Sequence, residues 1–227
     1  MKRVITVLLA VLLVLSLAAC GSGVETKKLA GTWTCTIDVT DRMNAAAEQA
    51  LGLSAADGAA KMPLQLVLTV AEDGAYTLRY DSDAVRTALD AYAAALHPAA
   101  VESVYAAAEE QGLSREEYDA AMEKAGITMD DMVAAIFAGV DEEELLSLLT
   151  GRSAALTGYC RAEGGQLYLA DTAAELAETA DCLSYTLSDG TMTWTDAQGE
   201  LSSQLTEQEQ ELLRVPLTWT KQAEESK

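Results

Sequence analysis

Eight short runs of alternating apolar and polar residues, joined by connections of only two kinds, limit what this chain can fold into. The first begins at Gly31. Trp33, Cys35, Ile37 and Val39 fall on one face and Thr32, Thr34, Thr36 and Asp38 on the other, the pattern of a half-buried strand. Leu64, Leu66, Leu68 and Val70 alternate in the second run, Tyr76, Leu78 and Tyr80 in the third, and Tyr159 and Arg161 in the fourth. Leu167 and Leu169 mark the fifth, Leu183, Tyr185 and Leu187 the sixth, Met192 and Trp194 the seventh, and Leu217 and Trp219 the eighth. Threonines take the other face at Thr193, Thr195, Thr218 and Thr220, as on the solvated side of an antiparallel sheet.

Short glycine turns join strands two and three (Glu72-Asp73-Gly74), four and five (Glu163-Gly164-Gly165), and six and seven (Ser188-Asp189-Gly190). The other connections read as helices. Asp41 is placed to cap one that runs to about Leu51, Thr172 to Thr179 has helical spacing, and Thr206 with Glu209 forms a capping box before Leu212 and Leu213. A long insertion, Ser82 to Thr150, separates strands three and four. The expected fold is α+β: an up-and-down antiparallel β-barrel of about eight strands, with its glycine turns at one end and its helical insertions at the other.

The insertion reads as about five short helices. The first covers roughly Asp83 to Leu96, with Val85, Leu89, Tyr92 and Leu96 on one stripe and a break at His97. Pro98 then leads a second helix through Val101, Val104 and Tyr105 to a stop at Gly112. Gly112-Leu113-Ser114-Arg115-Glu116-Glu117-Tyr118 recurs fourteen residues later as Gly126-Ile127-Thr128-Met129-Asp130-Asp131-Met132. Each copy supplies a helix stop, a capping box and an apolar staple, pairing Leu113 with Tyr118 and Ile127 with Met132. Met122, Met129, Met132 and Phe137 fit a packed helical interior, or a soft surface able to grip a peptide or acyl chain. With 15 acids and 3 bases, the insertion is the electronegative pole of the chain.

At the start of the chain, Lys2 and Arg3 precede an apolar run from Val4 to Ala19, which ends in Leu17-Ala18-Ala19-Cys20 and is followed by Gly21, Ser22 and Gly23. This is the form of a secretory signal. It resembles a bacterial lipoprotein signal, which implies cleavage after residue 19, diacylation of Cys20 and attachment of the mature chain to a membrane on its extracytoplasmic side. The expected layout is a signal peptide over 1–19, a lipidated cysteine and polar tether over 20–28, the barrel over 29–221 with its helical insertion at 82–150, and a flexible tail over 222–227. Loss of residues 1–19 takes the net charge from -21 to -23. Such an excess of acid argues against nucleic acid as a partner and against an anionic lipid surface.

Gly31-Thr32-Trp33, opening a meander of alternating strands, is similar to the Gly-x-Trp start of lipocalins and lipocalin-like bacterial lipoproteins. That resemblance implies an eight-stranded barrel whose tryptophan packs across the closed end against an arginine of the last strand. Here Trp219 and Lys221 occupy that strand. A barrel of this size either fills with its own side chains or holds one small ligand, and both outcomes are open. The residues expected to line it are Trp33, Tyr76, Tyr80, Tyr159, Tyr185, Trp194 and Trp219, with Arg161 as the one inward charge. An aromatic lining of this kind suits an apolar small molecule.

Catalytic chemistry has little to work with. His97 is the only histidine, so neither a histidine triad nor a multi-histidine metal site can be built. No cofactor or metal is expected, since Asp81/Asp83, Asp130/Asp131 and Asp141 to Glu144 lack the spacing of a calcium loop. Cys160 and Cys182 both read as outward, on strands four and six, about 9.5 Å apart and beyond disulfide reach. The expectation is a non-catalytic, membrane-anchored binding protein that takes an apolar ligand or peptide where barrel and helices join. The alternative is a scaffold that docks another envelope protein through its acidic helices.

Overall fold

The structure, a computed structural model, describes residues 25–53, 60–137, 147, 155–179, 182–198 and 214–223. The signal segment with Cys20, the acids Asp141 to Glu144, the Thr206–Glu209 box and residues 224–227 lie outside them. Eight antiparallel strands close into a barrel in sequence order: β1 (Gly31–Asp38), β2 (Pro63–Val70), β3 (Ala75–Tyr80), β4 (Leu156–Glu163), β5 (Gln166–Ala170), β6 (Cys182–Ser188), β7 (Thr191–Gln198) and β8 (Leu217–Lys221). The first and last strands complete the ring, with Trp33 opposite Lys221 and Thr34 opposite Thr220. The chain divides into two compact units. One comprises the described residues up to Cys35, Leu66–Tyr80 and those from 155 onward; the other comprises Thr36–Gln65 and the described part of Asp81–Ser153.

Within the barrel unit, period-two alternation carries the register from strand to strand. Leu66, Leu68 and Val70 face Tyr80, Leu78 and Tyr76, which in turn align with Leu156 and Gly158 of β4. This pairing reverses the expected orientation of β4. Gly158, Cys160 and Ala162 point inward and are buried, while Tyr159 and Arg161 lie on the outer face. Space is the reason. A Cβ on residue 158 would sit 2.9 Å from Cε1 of Tyr76 and 2.5 Å from the carbonyl oxygen of Ala170, so small side chains on β4 make room for the tyrosine of β3. A shift in register between Ser184 and Tyr185 bends β6 against β7 and leaves Tyr185 opposite Trp194.

Residues 25–29 form a helical turn, α1, where a tether was expected as far as Lys28. It is fastened to β4 and the turn beyond. Thr26 Oγ1 accepts the amide of Ala162 at 3.0 Å, and Glu25 accepts that of Gly164 at 2.7 Å. Leu29 is buried, and its carbonyl accepts the indole N–H of Trp33 at 2.7 Å. A second short helix of this unit, α6 (Ala173–Leu176), opens on the Thr172–Glu175 capping box.

The helical unit contains α2 (Thr40–Leu51), α3 (Ser82–Glu110), α4 (Arg115–Ala125) and α5 (Met129–Phe137). Asp38, rather than Asp41, organises the start of α2. Its carboxylate accepts both the amide and the hydroxyl of Thr40, which hold it below the usual carboxylate range. The Thr40 oxygen in turn accepts the amide of Met62 at 2.9 Å. The break expected at His97 does not occur, because α3 continues through Pro98. Proline removes one intrahelical donor there, but Leu96 and Ala100 on either side of it are both buried, and Ala100 packs with Leu53 and Val133. Met129 and Phe137 pack against the same cluster, the interior role open to them from sequence, and Ile136 joins them.

The internal repeat forms the expected helix boundaries. Gly112 and Gly126 take φ of 84° and 68°, a conformation that costs glycine least, and the amides of Leu113 and Ile127 reach back to the carbonyls of Ala108 and Met122. Ser114 and Glu117 complete a capping box, and Thr128 and Asp131 make the equivalent hydrogen bonds. The staples do not seal: Leu113 and Ile127 remain 40% and 42% exposed. Tyr118, the expected partner of Leu113, packs edge-on against Tyr105 instead, with ring centroids 6.2 Å apart.

Candidate functional site

The inward face of the barrel has a sealed side and an accessible one. Trp33 and Cys35 of β1, Leu66, Leu68 and Val70 of β2, Met192 and Trp194 of β7, and Leu217 and Trp219 of β8 are buried. On β3 to β6 the inward side chains Leu78, Tyr80, Leu156, Leu169 and Tyr185 are only half-buried and Leu187 is exposed, whereas Tyr76, Cys160, Ala162, Leu167 and Leu183 on the same strands are buried. The strand register places Leu78 directly opposite Leu156. Among the described residues the only charge on the inward face is Lys221, and its Nζ lies 5.4 Å from the centroid of the Trp33 ring.

Arg161 therefore does not line the interior. On the outer face it pairs with Glu163, and its guanidinium carbon sits 4.2 Å from the Tyr168 ring centroid, directly across from it in the β4–β5 register. Tyr159 shares that outer face. Of the other expected lining residues, Tyr76 is buried over Gly158 and Tyr80 and Tyr185 face the accessible side.

The three tryptophans differ in a way the sequence could not reveal. Trp33 is satisfied: its N–H is bonded to Leu29 and its ring is covered by Lys221. Trp194 and Trp219 pack as a tilted pair, with centroids 4.7 Å apart, and are 7% and 0% exposed. Neither of their indole N–H groups has an acceptor among the described residues. Buried donors without partners are rare, because each keeps its full desolvation cost.

No known protein family, curated protein or solved structure matches this chain. Its chemistry has to be read from its own side chains. Those acids of the clusters read from sequence that are described are engaged one by one: Asp81 caps α3, Asp83 pairs with Arg86, Asp130 meets His97 Nε2 at 3.0 Å, and the Asp131 carboxylate accepts the amide and hydroxyl of Thr128, the residue that caps α5. Among the described residues no three metal-ligating side chains converge.

Cys35, Cys160 and Cys182 are free thiols, all buried. Cys160 was expected to face outward with Cys182, but it points inward, and the register leaves Cys182 on the outer face opposite Tyr168. Burial pushes the Cys35 thiol up and, with the nearby Asp73 charge adding to it, raises Cys160 to about 12. The unfolded chain therefore loses its Cys160 proton first as pH rises. The stability this group contributes is complete below its ordinary 9.0 and is lost on the way to about 12. In the folded protein at about pH 8, iodoacetamide should leave Cys35 and Cys160 unmodified, and both should react once guanidinium unfolds the chain. Mass spectrometry of the intact protein reads the difference directly.

Proposed function

We propose that this is a lipid-anchored, extracytoplasmic binding protein whose lipocalin-like barrel holds a small apolar molecule. The observation that carries the reading is the accessible part of the inward face: Leu78, Tyr80, Leu156, Leu169 and Tyr185 are half-buried and Leu187 is 37% exposed, in a closed barrel most of whose other inward side chains are buried. Apolar surface left open in this way is what an apolar ligand covers favourably, at roughly 25 cal/mol per Å². Two further points support it. Removing Arg161 from the lining leaves Lys221 as the only inward charge among the described residues, and Lys221 over Trp33 supplies a cation on the tryptophan where lipocalins carry an arginine. The anchor rests on the Leu17-Ala18-Ala19-Cys20 sequence.

The test is a titration of the full-length protein with apolar probes, followed by tryptophan fluorescence and by native mass spectrometry for material carried through purification. Saturable quenching or a co-purified mass is the expected result. Emission that stays blue-shifted, resists soluble quenchers and responds to no probe would mean that the barrel is filled by its own side chains, and the reading would fall.

A second reading has its own observation. Leu113 and Ile127 stand exposed on the acidic helical unit, which suits docking of a cationic envelope protein. Ionic strength separates the two: docking through acids weakens as salt rises, whereas binding of an apolar molecule hardly changes.

A further inference from the structure

The orphaned indoles say more about what the barrel holds. Trp194 and Trp219 are both more than nine-tenths buried, they belong to the same stack, and each keeps an N–H without an acceptor among the described residues. Their side chains lie on the inward face. Trp194 is opposite Tyr185 of the accessible side, and Trp219 is opposite Met192. Trp33, the same residue type on the same face, is fully provided for by Leu29 and Lys221, so the deficit is confined to this pair. A wholly hydrocarbon ligand would leave both donors as they are. A ligand with an acceptor would relieve them, and the net gain from each hydrogen bond formed is about 0.5–1.5 kcal/mol.

The charge state of that acceptor follows from its surroundings. An ionised carboxylate taken into a low-dielectric interior needs a cation beside it. Among the described inward residues the only cation is Lys221, which is committed to the Trp33 ring. Indoles donate without carrying charge, so they match a neutral carbonyl better than an anion.

We propose that the barrel recognises an apolar molecule carrying an uncharged carbonyl, of ester, ketone or amide type, with its oxygen accepting from the indole N–H groups of Trp194 and Trp219. This rests on the reading of the barrel as an apolar binding site and specifies its ligand class. Trp194 and Trp219 are then the residues that select the ligand, and the half-buried leucines of β3 to β5 hold its hydrocarbon part.

Three probes that share an eight-carbon chain test the idea on the full-length protein: octane, methyl octanoate and octanoate. Indole N–H resonances in nitrogen-correlated NMR report on each tryptophan separately. Methyl octanoate should shift the Trp194 and Trp219 signals downfield and leave that of Trp33 in place, and it should bind more tightly than octane. Trp194→Phe and Trp219→Phe keep a ring in the stack and lose the donor. Each should weaken methyl octanoate roughly 3- to 10-fold, as expected for one hydrogen bond, without changing octane. If octane binds as tightly as the ester, or the indole signals do not distinguish them, the acceptor inference fails while the apolar site stands. Tighter binding of octanoate than of the ester would overturn the neutral class. If no probe moves any indole signal, the apolar site itself fails, and the inference fails with it.

Discussion

Replacing Gly158 with valine should destabilise the protein by about 3 kcal/mol. The sign of this result is informative, because strand propensity alone predicts the opposite: valine is favoured over glycine in strands by about 1 kcal/mol. The steric argument dominates because the new Cβ would lie 2.5 Å from a backbone carbonyl, that of Ala170, as well as 2.9 Å from the Tyr76 ring. A backbone atom cannot rotate out of the way, so even alanine should be costly here. Urea unfolding of Gly158→Val, compared with Thr157→Val on the exposed face of the same strand, checks both halves. The Thr157 variant should stay within about 0.5 kcal/mol of the parent. Equal stability of the two variants would mean that β4 does not present its small residues to the interior.

The second large effect is at Trp33. Trp33→Ala should cost about 3–5 kcal/mol through the void it leaves. Its consequences extend beyond the void, because the Trp33 N–H holds the Leu29 carbonyl at the end of α1. With that hold gone, Thr26 and Glu25 should release the amides of Ala162 and Gly164, which they accept at 3.0 and 2.7 Å. Hydrogen exchange at those two amides should speed up well beyond that of β7 amides. Trp33→Phe separates the two contributions: it retains most of the packing but leaves the Leu29 carbonyl without its donor. It should therefore release the same amides at a smaller loss of global stability. If exchange at Ala162 and Gly164 is unchanged in either variant, α1 is held by other contacts.

Much of the barrel could be read from periodicity, since a one-residue slip moves every side chain to the other face and most strands have a clear apolar set. The strand Leu-Thr-Gly-Tyr-Cys-Arg-Ala-Glu lacks that clarity. Its larger residues, Tyr159 and Arg161, suggested one face, and the Tyr76 ring required the other. Which face has to be small is decided by a residue about 80 positions away, and no local pattern carries that information. Pro98 misled for a related reason. A proline is a local stop signal, but the burial of Leu96 and Ala100 outweighs it. Capping boxes, by contrast, are complete within four residues, and the two expected from the repeat, Ser114 with Glu117 and Thr128 with Asp131, formed. At the candidate site, sequence supplied the tryptophans but not their inequality. Whether an indole finds an acceptor depends on Leu29 arriving next to one of them and, among the described residues, no acceptor arriving next to the other two.

The pairing of Leu78 with Leu156 also bears on the order of events during folding. The barrel can close only after these two strands meet, and they are separated by about 78 residues of chain. Closing a loop of that length in a disordered chain costs about 2–3 kcal/mol more entropy than closing a four-residue hairpin. Helices are built from neighbouring residues and form far faster than strands that must find distant partners. Once α3, α4 and α5 have condensed, fewer residues of the excursion from β3 to β4 remain free to wander. That shortens the search, so these acidic helices are expected to be in place while the barrel is still open.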